Sequence, residues 1–593
     1  MGRPARAVPA NFDEVFVREG WEAKEALGVE TSTFKRWLGE RRPVLAFDTE
    51  TGGLEAWAQP LRLIQFGDAM KGWVIPWHMW GGVALEAFAS YDGELTAHNL
   101  KFDAGFIERH CNIKFPWHRS HCTYIQAHLI DSAGVHGLKP LAQRLVDPRA
   151  TTGQEILGQA MKAQGWTWAT VPVEFPGYWC YAAVDTVLTA RIHEQQHPQV
   201  ASSYADVYEL ELAVARIVNG MEMRGARIDL DYCERKLQDL ELAYDAIQKW
   251  CLEHFGVRNI GSNAQVADAL VAHGVELTEK TATGKWKLDE EVIESLHHPL
   301  ADAVRNAKKA KKIASTYFTN FLQYHDDGRI HPNIKFLEAR TGRMSITKPA
   351  LQTLPRGRIV RDAFIPSENN VLLSADYDQI EMRLLAHYCR DPGLIDAINS
   401  GDLHTETARR VYGDPTLQKK DPRRQTAKNA GFAKIYGAGV EKFAKTAGIP
   451  IEEASAFLRG YDAMFPGVRS FQQQVELVAR QRSAAEGVAY IKTWPLGRRL
   501  PADPGKEYTL VNYLIQGTAD DVLKRALVDL DLVGLGDMLV VPVHDEVILD
   551  VPASEVAEVT ALVRETMTQS DWVVPLTAGV EGPFERWGEK YEA

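Results

Sequence analysis

The tightest constraint on this chain is Val371-Leu372-Leu373-Ser374-Ala375-Asp376-Tyr377-Asp378-Gln379-Ile380-Glu381-Met382-Arg383. It opens as an apolar strand and delivers Asp376 at the strand's end. It then changes period, with Ile380, Leu384 and His387 spaced for one helix face. A carboxylate at a strand terminus can hold a hard cation such as Mg²⁺, which keeps several waters and few protein ligands. A two-metal site needs a second acid from elsewhere. Val540-Val541-Pro542-Val543-His544-Asp545-Glu546-Val547-Ile548-Leu549 supplies it, reading as a hairpin-like pair of strands with acids at the apex. Strand-end acids are common, so neither stretch decides anything alone.

Between them, Arg424, Lys428, Phe432 and Tyr436 recur every four residues. Each step advances about 40° around a helix of 3.6 residues per turn, so all four share one face. Two cations and two rings, closed by Gly437, suit a triphosphate at one end and a base or sugar at the other. An isolated helix of this kind more often packs its rings in a core and solvates its cations. The two flanking acid strands reverse that balance.

At these residues the chain resembles the family A DNA polymerases, the group of bacterial DNA polymerase I and many phage replicases. Residues 376–383 match motif A, residues 424–437 match motif B, and Val543-His544-Asp545-Glu546 matches motif C. Order and spacing agree, and the similarity runs from about residue 41 to the C-terminus. The resemblance implies template-directed addition of dNTPs to a primer 3′ end. Asp376, Tyr377 and Asp545 would hold two Mg²⁺, with Mn²⁺ as a substitute, and Lys428 and Arg424 would balance the triphosphate. His404 and Gln379 would also meet the incoming nucleotide. Glu381 matches the side chain that blocks a ribose 2′-hydroxyl. Phe432 stands where tolerance of a missing 3′-hydroxyl is set, and Tyr436 near the templating base. On the primer-template, Arg343 would read minor-groove acceptors common to all correct pairs. Asn512 and Gln516 match residues near template and primer, and His544, Lys312 and Arg361 are further expected DNA contacts. Glu546 is expected to support the site.

A second acid set lies towards the N-terminus. Asp48 and Glu50 end an apolar strand and, at i and i+2, project to one face. Asp103 follows, and Tyr181 and Asp185 stand i, i+4 on a helix. Four acids and a phenol suit a two-metal phosphodiesterase in which Tyr181 orients the attacking water. The set resembles the 3′→5′ proofreading exonucleases attached to this polymerase family, which implies a single-stranded DNA 3′ end as substrate. His110, Cys111, His118, His121 and Cys122 cluster between these motifs, but their spacing fits no standard zinc pattern.

The net charge of −12 argues at first sight against a nucleic-acid partner. Binding depends on where charge sits, however. Residues 339–361 hold six cations and no acid, residues 305–312 five and none, and residues 419–428 five against Asp421. Such runs could follow a phosphate backbone. Six scattered cysteines suggest free thiols in a reducing compartment. With no apolar run of 18 and no signal peptide, the expectation is a soluble cytoplasmic protein with no membrane partner, in host cytoplasm if of phage origin.

The expected fold is an α/β multidomain chain. An RNase H-like 3′→5′ exonuclease domain (41–200) precedes a right-hand polymerase with an antiparallel palm sheet and helical fingers and thumb. The polymerase divides into its start and thumb (201–335), palm with motif A (336–384), fingers with motif B (385–506) and palm with motif C (507–593). Residues 1–40 resemble a helix-turn-helix, two short helices joined by Gly28-Val29 with Thr33, Lys35 and Arg36 on the second; a small packing appendage is the plainer reading. An alternative function is an exonuclease with a DNA-binding but inactive polymerase module, which would require damage to Asp376, Asp545 or Lys428; none is seen. Asp48 already stands in the proofreading motif, leaving no room for a 5′ nuclease domain. The compact arrangement suggests phage genome replication, and any replisome helicase or primase is unidentified.

Overall fold

The structure, a computed structural model, describes residues 6–9, 27–40, 42–281, 283–355 and 357–591. Six strands form the first sheet in the order β1-β4-β3-β2-β5-β6. They are β1 (Arg6–Pro9), β2 (Val44–Thr51), β3 (Leu61–Gly67), β4 (Lys71–Pro76), β5 (Glu94–Ala97) and β6 (Ser120–Cys122). β2, β3 and β4 are antiparallel neighbours, whereas β5 and β6 continue parallel to β2. Val44 to Phe47 of β2 are all buried, as expected of a strand covered on both faces.

Among the helices that serve this sheet are α1 (Leu27–Leu38), α2 (Leu100–Cys111), α3 (Thr123–Ile130), α4 (Leu138–Leu145) and α5 (Pro176–Ser203). α5 packs on β2, β3 and β4. The approach is close: a Cβ on Gly72 of β4 would stand 2.3 Å from the Ala183 carbonyl oxygen. Only glycine lets the helix lie this near, and Asp185 is two residues further on.

The N-terminal expectation changes here. Gly28 and Val29 lie inside α1 rather than between two helices, and the expected first helix falls largely outside the described residues. Phe34 and Trp37 are buried against Trp73, and Trp37 Nε1 donates to Asp68 at 3.0 Å. Lys35 pairs with Glu86. Aromatic burial thus accounts for the apolar face of α1, and β1 pairs with β4. The sheet domain therefore reaches back past residue 41.

α6 (Ala205–Arg224) leaves the sheet domain and packs along α12 (Leu510–Leu530), near the far end of the chain. After Gly225, at φ 65°, come α7 (Leu230–Phe255) and α8 (Pro299–Ile313). These two pack together over a small core containing Cys251, Leu270, Leu300 and Val304. The Asp229 carboxylate caps α7 by accepting from the Tyr232 N–H.

The second sheet is antiparallel throughout, in the order β8-β9-β7-β10: β7 (Asn370–Tyr377), β8 (Leu539–Val543), β9 (Glu546–Pro552) and β10 (Ala578–Phe584). Inserted between β7 and β8 are α9 (Ile380–Cys389), α10 (Leu403–Tyr412), α11 (Pro422–Ile435) and α12. One continuous apolar core joins Phe34, Ile217, Leu373 and Trp587. Within it runs a buried ion network. Arg498 reaches Glu211 at 2.5 Å and Asp521 at 2.6 Å, and Lys524 reaches Glu211 at 2.8 Å and Asp520 at 3.0 Å. Among the described residues, no helix is long and apolar enough to cross a membrane.

Candidate active sites

Register sets the first site. β7 places Asp376 directly opposite Glu546 on β9 and Gly579 on β10. The β8–β9 turn, with His544 at φ 60°, brings in Asp545, whose carbonyl accepts from the Tyr377 N–H at 3.3 Å. Asp376 Oδ1 is buried with no hydrogen-bond partner. Burial, then the charge of Asp545, pushes the Asp376 carboxyl up to about 7, and burial also raises Asp545. Hard oxygen donors that repel one another fit a divalent cation. The Tyr377 ring is buried, on the alternate side of the strand from Asp376, so its main-chain carbonyl is what remains for a metal.

Glu546 is enclosed. It accepts from Ser374 Oγ at 2.7 Å, Tyr591 Oη at 3.3 Å and Trp587 Nε1 at 3.4 Å. Lys590, on the short 3₁₀ helix Trp587–Tyr591, stands 3.1 Å from Glu546 and 3.5 Å from Asp376. Sequence reasoning missed Lys590. It belongs to no motif, and its only signal was a cation flanked by Trp587 and Tyr591.

α11 packs against α9, where a Cβ on Gly431 would sit 3.5 Å from the Met382 methyl. Along α11, Arg424 is held by Asp402, from Nε at 3.0 Å and Nη2 at 3.1 Å. His404 is buried beside them; burial, with the charges of Arg424 and Lys428, lowers it to about 4, leaving a neutral ring at pH 7. Lys428 and Phe432 are half-buried further along, and Tyr436 at the helix end is 41% exposed. The Tyr436 hydroxyl accepts from Gln516 Nε2 at 3.3 Å, which ties α11 to α12. Gln379, at φ 50° and exposed, starts α9. Two residues on, Glu381 pairs with Arg343 at 2.8 Å, while burial raises its carboxyl.

The expected DNA contacts are placed unevenly. Lys312 is exposed on α8, and His544 is exposed with Nε2 3.0 Å from the Gln352 carbonyl. Asn512 is half-buried with an unpartnered Nδ2. Arg361 departs from expectation. It is only 8% exposed, its guanidinium lies 4.3 Å from the Tyr591 ring, and it donates to the Pro355 carbonyl. It anchors the C-terminal 3₁₀ helix, and burial keeps it from phosphate. The basic run around it is likewise paired through the fold: Arg340 with Asp503 and Lys348 with Glu55, both at 2.8 Å, and Arg358 with Asp362 at 3.1 Å. Arg356 lies outside the described residues.

In the first sheet, Asp48, Glu50 and Asp185 each offer an oxygen within 4.8 Å of the others. Asp103 is engaged differently, its Oδ1 accepting from the Thr49 N–H at 3.0 Å and Thr49 Oγ1 at 2.6 Å, which locks α2 to β2. Burial raises Asp48 to about 7 and lifts Glu50 and Asp103 well above the usual carboxylate range. The Tyr181 phenol is pushed up by burial and the charge of Glu50, so it stays protonated. Lys139 of α4 donates to Asp185, lies 4.5 Å over the Tyr181 ring, and is lowered to about 8 by burial. One buried ammonium among three clustered acids leaves a deficit of positive charge, which again fits divalent cations. Lys139 escaped the sequence reading because a lone lysine on an amphipathic helix reads as solvated.

A strand-borne acid pair beside a cationic helix, with a separate carboxylate cluster at the first sheet, defines a nucleotidyl-transfer centre joined to a phosphodiesterase centre. Residues 230–589 match DNA polymerase family A, and residues 31–201 match a 3′–5′ exonuclease family. The chain belongs to the family A DNA polymerases and carries a 3′–5′ exonuclease domain. It is 31% identical to a DNA polymerase of Mycobacterium phage D29, over 94% of this chain and 95% of that one. With DNA polymerase I of Pseudomonas aeruginosa the identity is 28%, covering 94% of this chain and 65% of that protein. The POL domain of Pol1 from M. smegmatis, solved in complex with DNA primer-template and dNTP, superposes with a TM-score of 0.76 at 25% identity, covering 94% of this chain and 98% of that one.

Proposed function

We propose that this polymerase extends a DNA primer along a template with dNTPs, and removes mismatched 3′ nucleotides from single-stranded ends in its exonuclease domain. The observation that carries the reading is the meeting of Asp376 and Asp545 at one sheet edge, with the cationic face of α11 on the flanking helices. The primer-template and dNTP bound by the M. smegmatis relative support the substrates. Asp376, Asp545 and the Tyr377 carbonyl would hold Mg²⁺ in the palm, and Asp48, Glu50, Asp103 and Asp185 would hold it in the exonuclease, with Mn²⁺ as a substitute. Bound there, the ions lower the pKa of the attacking hydroxyl or water and neutralise the leaving group.

The chain's own residues then divide the work. Arg424 and Lys428 balance triphosphate charge, and Lys428 protonates pyrophosphate as it leaves. Neutral His404 can hydrogen-bond a phosphate oxygen without adding charge. Glu381, with Arg343 behind it, occupies the space a ribose 2′-hydroxyl would need. Phe432 and Tyr436 supply apolar surface for the sugar and base, and Gln379 is a further nucleotide contact. Asn512, Gln516, His544, Lys312 and Arg343 line the duplex. In the exonuclease, protonated Tyr181 donates to and orients the water. Likeness to the mycobacteriophage enzymes supports phage genome replication in a host cytoplasm.

The test is extension of a labelled primer on a longer template with Mg²⁺ and dNTPs, comparing the intact chain with Asp545→Ala. The reading requires that the intact protein lengthens the primer and Asp545→Ala only shortens it. Shortening by both would leave only the nuclease.

A further inference from the structure

We propose that His121, His193 and His197 form a binding site for a transition-metal dication, Zn²⁺ in the first instance, separate from both carboxylate centres. His193 and His197 stand i, i+4 on α5, so their rings share one face, the spacing by which helices present two imidazoles to one metal. His121 approaches from β6. Each of the three offers a nitrogen within 4.8 Å of the other two. Ring centroids lie 4.6 Å apart for His121–His197 and His193–His197, and 4.9 Å for His121–His193. Zinc at about 2.0–2.1 Å from each nitrogen would require the His193 and His197 rings, stacked with their planes 15° apart, to turn towards a common point.

The surroundings point to a ligand. Gln126 of α3 is fully buried, with its amide nitrogen 3.1 Å from His193 Nδ1 and 3.5 Å from His197 Nδ1, while its Oε1 has no partner. As placed, the amide nitrogen donates to these Nδ1 atoms; with the amide turned over, the unpartnered Oε1 would accept from Nδ1–H, the contact by which outer groups orient ligating histidines. Tyr208 of α6 stands 3.3 Å from His121 Nδ1 and accepts from Gln126 and from the Cys122 N–H. Glu94 lies 3.2 Å from His121 Nε2. A cavity of about 640 Å³, lined by His121, His197, Glu94 and Glu209, opens the cluster to solvent and leaves room for a water as fourth ligand.

Three imidazoles select zinc, nickel or copper over the Mg²⁺ and Mn²⁺ that carboxylates prefer. The ion would strap β6 to the end of α5 and, through Tyr208, to α6, where the sheet domain passes into the polymerase. Its proposed role is to hold this junction together, with the fourth position left to water. Sequence spacing missed the site because His121 was weighed with His110, Cys111, His118 and Cys122, whereas its partners arrive on a helix far downstream.

The experiment uses the full chain without an affinity tag, stripped by chelator, incubated with Zn²⁺ in excess Mg²⁺ and desalted. Zinc retained per chain is read by mass spectrometry. One zinc should remain, and thermal unfolding should occur at a higher temperature with Zn²⁺ than without it. His121→Gln and His197→Gln should each weaken retention at least about tenfold while Mg²⁺-dependent extension and degradation continue. Co²⁺ in place of Zn²⁺ should give visible d–d absorption that both variants lose. No retained zinc in the intact chain, or equal retention in both variants, overturns the site.

Discussion

Arg343 Nη2 lies 2.8 Å from Glu381 Oε1, so an arginine 38 positions upstream neutralises the acid at the start of α9. The guanidinium is tethered beside the proposed nucleotide position, and the carboxylate is held by its partner in a half-enclosed place. Glu381→Ala should lower discrimination against ribonucleotides by roughly 10²-fold, on the scale at which pockets sense one small group. Single-nucleotide incorporation of UTP against dTTP measures the ratio. Unchanged discrimination would remove Glu381 from that role.

Asp376→Asn should lower extension by on the order of 10³-fold, the equivalent of several kcal/mol of charge stabilisation. Removal of a mismatched 3′ nucleotide should continue at the intact rate, since Asp48 and Glu50 stand on a different sheet and Asp185 on the helix packed against it. Both rates come from one labelled-primer time course.

The raised carboxyl of Asp376 makes a signed statement about pH. Its value is about 7 in the fold against an ordinary 3.8, so the native chain holds this proton more tightly than the unfolded chain. Between those two values the metal-free protein loses stability as pH rises; below them the group is neutral in both states, and above them ionised in both. A divalent cation needs the ionised form. Adding Mg²⁺ should therefore raise the melting temperature more at about pH 8 than at about pH 5.5, and chelator should reverse the gain. An equal or opposite difference, read by thermal unfolding, would contradict this.

Arg498→Ala would leave Asp521 buried without its ion-pair partner and Glu211 with Lys524 alone, which is shared with Asp520. The expected loss is about 3–5 kcal/mol, the range for removing one partner of a buried ion pair. Arg498→Lys should recover only part of it, because a lysine lacks the planar fork through which Nε and Nη2 both donate to Asp521 while Nη2 also reaches Glu211. Urea denaturation followed by tryptophan fluorescence reports both.

Short-range chemistry was legible in the residues themselves. The change from strand to helix at Asp376, the turn at His544-Asp545 and the four-residue recurrence along α11 all depend on neighbours within one element. What was hidden depends on long-range pairing. Residues 339–361 contain no acid, yet Arg340, Arg343 and Lys348 find Asp503, Glu381 and Glu55 in the fold. Arg361, Lys139 and Lys590 look solvated until the elements that bury them are in place. Gly28 reads as a break in sequence, yet α1 runs through it, because the packing of Phe34 and Trp37 outweighs the modest helix cost of one glycine.

Glu211 and Arg498 are separated by 287 positions, and that interval is also a time. At about 5–20 residues per second, a ribosome needs roughly 15 to 60 s after making α6 before its cation appears. Throughout that wait the acid on α6 has no guanidinium to meet, so the helix must stay hydrated while the sheet domain beside it is already free to fold. The chain is thereby locked from a distance: the junction between the two catalytic halves cannot close until Arg498 has been made.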